Sequence, residues 1–180
     1  MILLAIDPGP TETAWAFLVD GKLSRDYPWW GGERSWAFGK EENAWFLDDV
    51  VRRAAKMEDI EVVIEKVEHY GKDMHAGQTT FETCVWSGRF QQAFLDAWGY
   101  DFSVAYDPEP WHRLGRREVK RILLGMGAAK DGDIRTAVID RLGMPGTKKQ
   151  PGPTYGVSKD VWQAIGLGLA WLDLNEKGGG

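Results

Sequence analysis

The sequence predicts an α/β domain in which a mixed β-sheet lies between helices. Three observations predict it. Short apolar, β-prone runs recur: "ILLAID" at 2–7, "TAWAFLV" at 13–19 and "EVVIE" at 61–65. Longer stretches whose apolar residues repeat at helical spacing alternate with the later runs. The chain has 180 residues, 43% hydrophobic and 27% charged, which suits one soluble domain with a sizeable core.

Taken in order, residues 2–7 read as a buried strand and 13–19 as its neighbour. Asp20-Gly21 is a hairpin signal, and "KLSRDY" is the returning strand. "YPWWGGERSW" reads as a loop. From Asn43, a candidate N-cap, the residues Trp45, Phe46, Val50, Val51, Ala54 and Ala55 recur at helical spacing. Residues 61–65 form a short, apolar strand. A helix is expected over 79–98 and closed by Gly99. "DFSVAY" at 101–106 reads as another strand, ended by "DPEP". Two basic helices are expected over 112–124 and 131–142, then a Gly/Pro/Lys loop over 143–156. The last helix should begin near Ser158 and reach about Asn175. The expected sheet has five strands, three antiparallel and then parallel ones reached by helical crossovers. One domain over 1–176 and a disordered tail over 177–180 are expected, with no repeats.

The single cysteine, Cys84, excludes an intramolecular disulfide framework and suits a reducing compartment. As a helical residue with no identifiable basic partner it reads as a small hydrophobe. The N-terminus has no basic n-region and its apolar run stops at Asp7, so it does not read as a signal peptide. No stretch nears the ~18 apolar residues of a membrane span. A cytoplasmic location is expected. His69, His75 and His112 lack a zinc spacing.

The formal net charge is −5, but from His112 to Lys149 there are ten Lys/Arg and four acids. That segment carries +6 and the remainder −11. Such asymmetry marks either a solvated helical surface or a nucleic-acid face on an acidic protein. Trp29 and Trp30, in the loop beside two glycines, either pack under it or stack on bases. Trp15, Trp45, Trp86, Trp162 and Trp171 fall on periodic apolar faces and read as core or interface.

Two acids stand at strand ends. Asp7 follows "ILLAI" and Glu65 follows "VVI". If those strands are parallel neighbours, both carboxylates emerge at one sheet edge. Close carboxylates repel unless a cation sits between them, and hard divalent cations take such oxygen ligands. A third acid, Asp160, lies in the first turn of the last helix, with Ser158 as its cap. Taken singly, each acid is equally a turn or dipole residue. Gln163 lies at i+3 above Asp160. Small residues at 164, 166, 168 and 170 should let this helix lie close to the sheet. Thr13 starts the second strand beside Asp7, either as a plain β-former or to orient the carboxylate.

"LLAIDPGPTETAWAFL", "VVIEKVEHYG" and "SKDVWQAIGLGLAWL" together resemble the three active-site motifs of RuvC-like Holliday-junction resolvases, of the ribonuclease H-like superfamily. "PGPTYGVSKDVWQA" resembles the bacteriophage branch. The resemblance spans nearly the whole chain, including "VWSGRFQQAF" and "REVKRILLGMGAAKDGDI". It implies a ribonuclease H-like fold and a homodimeric endonuclease that places two symmetric nicks in four-way DNA junctions. Two Mg²⁺ or Mn²⁺ ions per site are implied, acting by two-metal hydrolysis, as is a bacterial host cytoplasm if the gene is phage-borne. Asp7, Glu65 and Asp160 become the metal ligands, with Gln163 where the family carries a further acid. Glu68 is a substitute fourth ligand. Arg116, Arg117, Lys120, Arg121, Lys130, Lys148 and Lys149 become phosphate contacts, and Tyr70 or His69 the aromatic that enters the junction. "TTFETCVWSGRFQQAF" becomes the dimer surface. Two other readings stand beside this one: a branched-DNA-binding protein with weak or no nuclease activity, favoured by Gln163, and an actin-like ATPase-type phosphate-binding domain, suggested by "DPGPTET".

Overall fold

The computed structural model describes residues 1–23, 37–68, 76–99 and 111–178. Six strands form one sheet among the described residues: β1 (Ile2–Asp7), β2 (Glu12–Val19), β3 (Lys22–Leu23), β4 (Phe38–Glu42), β5 (Ile60–Lys66) and β6 (His112–Gly115). Their order is β3-β2-β1-β5-β6, with β4 paired to β2. β2 runs antiparallel to β1, β3 and β4, whereas β5 is parallel to both β1 and β6. The mixed sheet is the predicted one, antiparallel on one side and parallel on the other.

Helices cover both faces. On one lie α1 (Asn43–Trp45), a π-helical segment Phe46–Val51, α2 (Arg52–Ala54) and α3 (Gln78–Trp98). On the other lie α4 (Arg116–Leu124), α5 (Asp131–Leu142) and α6 (Val161–Gly178). Because strand side chains alternate, β1 sends Leu4 and Ile6 into the first layer and Leu3 and Ala5 into the second. β5 divides likewise, with Val62 and Ile64 on the α3 side and Val63 on the α6 side.

Small residues let α6 lie close to the sheet at Gly168 and close to α5 at Gly166. A Cβ on Gly168 would stand 2.5 Å from Leu18 Cδ1, and one on Gly166 would stand 2.6 Å from Ile134 Cγ2. The helix is apolar nearly all round because sheet, α4 and α5 enclose it. Among the described residues no helix is long and apolar enough to cross a membrane.

Several expectations are corrected. Residues 112–115 form a strand beside β5, not the start of a helix, and α4 begins only at Arg116. Leu114 and Gly115 are buried beside Glu65 and Lys66, while His112 and Arg113 are exposed, so the strand carries no apolar alternation that a sequence pattern could show. β4 was not expected. Its "FGKEE" is a polar edge strand with little hydrophobic signal. Among the described residues the sheet therefore has six strands where five were predicted. α6 starts at Val161, so Asp160 precedes its first turn. The Asp160 carbonyl accepts from the Ala164 amide, and Val161 N–H bonds the Ser158 carbonyl rather than a Ser158 side chain. The helix continues to Gly178, past the expected end. Cys84 is helical but exposed, and Trp45 is 44% exposed. Trp15, Trp162 and Trp171 are buried. The strand predicted over 101–106, most of "KLSRDY", Trp29, Trp30, His69, Tyr70 and His75 lie outside the described residues.

Candidate active site

The site grows from one register. β1 and β5 pair in parallel with Ala5 opposite Val63 and Ile6 opposite Ile64, which brings Asp7 level with Glu65. Two-residue alternation then turns both acids to the face shared with Ala5 and Val63, the face that carries α6. Asp7 is 8% exposed. Its carboxyl is held well above the usual carboxylate range, first by burial, then by the neighbouring charge of Glu65, with Arg116 opposing.

Arg116 is the cation between them. Its Nε donates to Glu65 Oε1 at 3.0 Å, and its Nη2 reaches Glu65 Oε2 at 3.4 Å and Asp7 Oδ2 at 3.5 Å. Burial works against its charge, yet Glu65 and Asp7 more than offset this and raise its pKa above the ordinary arginine value. Its third nitrogen, Nη1, lies 3.7 Å from Asp131 Oδ2, and Lys120 Nζ holds the other oxygen of Asp131 at 2.8 Å. The Lys120 hydrogen bond lowers the Asp131 pKa. Arg116 and Lys120 were predicted as phosphate contacts. The structure places both in this carboxylate network at the mouth of the site.

Asp160 stands at the α6 end of the same face and adds to the rise in the Asp7 pKa. Its own carboxylate is paired with Lys40 of β4 at 2.8 Å, and Lys40 also meets Glu12 at 3.2 Å. Gln163 donates from Nε2 to the Asp131 carbonyl at 3.3 Å, which ties α6 to α5. The predicted triad is thus brought to one edge of the sheet, with Asp7 and Glu65 in immediate contact and Asp160 engaged by a lysine. Among the described residues no group of three or more His, Cys, Asp or Glu is close enough to enclose a metal ion.

The turn after Asp7 is held from below. Asn43 is 1% exposed and does not cap its helix. Its Oδ1 accepts from the Thr13 hydroxyl at 2.6 Å, its Nδ2 donates to the Gly9 carbonyl at 3.0 Å, and its N–H donates to the Thr11 carbonyl at 3.0 Å. Thr13 is fully buried in this cluster and does not touch the carboxylates. Sequence reasoning missed this use of Asn43, along with Lys40 and Asp131.

Glu68 lies at the far lip of the site. Its carboxylate sits over Gly115, where a Cβ would come within 2.3 Å of Oε2. It is 3.8 Å from Lys66. A cleft of about 320 Å³ is lined by Asp7, Pro8, Glu65, Lys66, Glu68 and Arg116. Lys66, Val67 and Glu68 also line a second groove of about 730 Å³ that reaches Arg117, Arg121 and Gly127. Lys130, Lys148 and Lys149 are exposed. The last two sit at the tip of a turn closed by Thr147–Gln150 hydrogen bonds and a Gly146–Pro151 bridge.

The donors suit a hard cation. Two oxygen-only side chains converge with more negative charge than one guanidinium neutralises, and burial leaves Asp7 reluctant to ionise without further positive charge.

No protein-family model matches the chain, and no curated protein matches its sequence significantly. Solved structures do match. RuvC of Thermus thermophilus superposes with a TM-score of 0.57 at 16% identity, over 99% of this chain and 97% of that one. The T. thermophilus RuvC in complex with Holliday junction substrate gives a TM-score of 0.62 at 17% identity, over 99% and 96%. At these identities the likeness is one of fold: the described residues have the RuvC, ribonuclease H-like fold.

Proposed function

We propose that this chain is a metal-dependent endonuclease that resolves four-way DNA junctions as a homodimer, by paired nicks. The observation that carries the reading is the level pairing of Asp7 and Glu65 on parallel strands, with Asp160 at the adjoining helix end, on a RuvC fold. Fold alone does not assign chemistry. What supports the reading is that Asp7 and Glu65 end two neighbouring parallel strands and Asp160 immediately precedes α6.

Asp7 and Glu65 would hold a divalent cation, Mg²⁺ or Mn²⁺, with Asp160 joining a second ion on leaving Lys40. Bound there, the metal would supply Lewis-acid stabilisation of charge on the phosphate and a more acidic attacking water. The remaining chemistry belongs to the chain. Arg117, Arg121 and Lys66 line the groove beside the carboxylates and are suited to one DNA strand. Lys130, Lys148 and Lys149 extend the positive surface beyond it. Such contacts orient the backbone and set affinity rather than sequence choice. Asn43 keeps the Asp7 turn rigid while DNA enters. Partnering through α3 fits its exposed Phe81 and Val85, 62% and 55% accessible.

The test is nicking of a synthetic four-way junction with Mg²⁺ or Mn²⁺. Wild type should give paired nicks, and Asp7→Asn should lose cleavage by on the order of 10³-fold while retaining binding. Binding without cleavage by the wild type would assign the chain instead to branched-DNA binding. The engagement of Asp160 by Lys40 and of Gln163 by a backbone carbonyl is the observation that favours this second reading.

A further inference from the structure

We propose that Arg116 is a resident countercation of the metal seat: it spans and partly neutralises Asp7 and Glu65 in the metal-free protein, yields them to a divalent ion, and moves onto Asp131. The inference rests on the reading of Asp7 and Glu65 as metal-holding residues, and deepens it.

The placement follows from topology. Leu114 of β6 is paired beside Glu65, so Arg116, two residues on and first in α4, emerges at the same sheet edge. Its guanidinium forks onto the Glu65 carboxylate at 3.0 and 3.4 Å and reaches Asp7 at 3.5 Å. A planar fork spanning two carboxylates is an arginine geometry that a lysine point charge does not reproduce. The oxygens it occupies are the ones an ion would need, so guanidinium and metal exclude one another.

The exchange has a destination. Asp131 lies on the opposite side of the same guanidinium, 3.7 Å from Nη1, at the start of α5. The Asp131 side chain is 56% exposed and that of Arg116 34%, against 9% for Asp7. Rotation outward therefore carries the charge from a buried pair toward solvent without losing a carboxylate partner. Lys120 fixes Asp131 in place at 2.8 Å. The Gln163 bond to the Asp131 backbone links this receiving group to α6, the helix that Asp160 immediately precedes. Metal entry would thus turn Arg116 from a plug into a cation facing the cleft, where a scissile phosphate arrives.

A thermodynamic cycle makes the proposal quantitative. Whatever stability Arg116 gives the metal-free state must be displaced by the ion, so the same free energy appears as weakened metal affinity. The experiment uses the full chain as wild type, R116Q, D131N, R116Q/D131N and R117Q. Mn²⁺ binding is measured by calorimetry, and thermal unfolding is followed in EDTA and in saturating Mg²⁺. R116Q should bind Mn²⁺ about fivefold tighter or more. It should melt below wild type in EDTA and level with it in Mg²⁺. D131N should weaken Mn²⁺ binding only when Arg116 is present, and the weakening by D131N alone is measurable even if R116Q does not fold without metal. R117Q, which removes a neighbouring charge, should leave the affinity within about twofold. A melting deficit of R116Q that persists in Mg²⁺ with unchanged affinity would make Arg116 a plain structural ion pair. Equal effects of D131N in both backgrounds, or an equal gain from R117Q, would reduce the effect to general charge. Each of these overturns the proposal while leaving the metal seat intact. Absence of Mn²⁺ binding by both wild type and R116Q overturns the metal seat itself.

Discussion

Asp7 and Glu65 stand level on two neighbouring parallel strands, on the same face, and a single guanidinium spans both. One positive charge for two carboxylates leaves the metal-free site under-neutralised, and Asp7 bears the consequence.

The consequence is a pH dependence with a definite sign. Burial, then Glu65, raises the Asp7 pKa above its unfolded value of about 4. Between those two values the native state holds a proton that the unfolded chain has released. Stability must therefore fall as pH rises through the window, since the native state binds the extra proton. Asp7→Asn removes that proton exchange. In EDTA, melting temperature against pH should show the variant gaining on wild type steadily from about pH 4 upward. Parallel curves would mean that Asp7 titrates normally.

The strand-end acids were legible because an apolar run that stops at a carboxylate is visible in one dimension. "ILLAID" and "VVIE" became β1 and β5, and parallel pairing with two-residue alternation brings their acids together. α3 and its Gly99 cap were legible for the same kind of reason: Gly99 ends the periodic run and adopts φ 63°. β6 was not legible, because only Leu114 and the small Gly115 point inward in "HRLG", and the charges read as helix surface. The pairing of Arg116 with Glu65 and Asp7 was not legible either, because these partners lie 51 and 109 residues away. Lys40 with Asp160, and Asn43 with Gly9, are likewise pairings made by the fold, and no local pattern announces them.

Asn43 joins the Asp7 turn to the helix behind it, and its replacement should separate support from chemistry. Asn43→Ala would leave the Thr13 hydroxyl and the Gly9 carbonyl without their buried partner. A loss of about 1–3 kcal/mol in unfolding free energy is expected. Because the turn sets the Asp7 backbone, cleavage should fall about 10–100-fold at saturating junction. Junction affinity should be nearly unchanged. Equal losses in binding and cleavage would show that the turn serves DNA contact instead.

Lys148 and Lys149 sit at the tip of a closed, exposed turn, so their removal should not disturb the fold. If both meet phosphates, the double change to Gln lowers the slope of log affinity against log salt by about 0.9 per contact. Junction binding measured across a salt series reads this directly. An unchanged slope would place the turn away from DNA.

α3 buries Ser87, Phe90, Phe94 and Leu95 and exposes Phe81, Cys84, Val85 and Gly88. Those four fall at helical spacing, so they form one continuous seam on the outer side of the helix. Val85 is 55% exposed in the single chain, so Val85→Asp should change the stability of the folded protomer by no more than about 0.5 kcal/mol. In a dimer that packs through this seam, the same change buries an unpaired charge and should split the pair. Analytical ultracentrifugation should show wild type as a dimer and the variant as a monomer with an unchanged circular dichroism spectrum. Junction cleavage supplies the second readout: a protein that nicks in pairs should give uncoupled single nicks once it is monomeric. A variant that remains dimeric would move the interface off α3, and a wild type that sediments as a monomer would remove the basis for paired nicking.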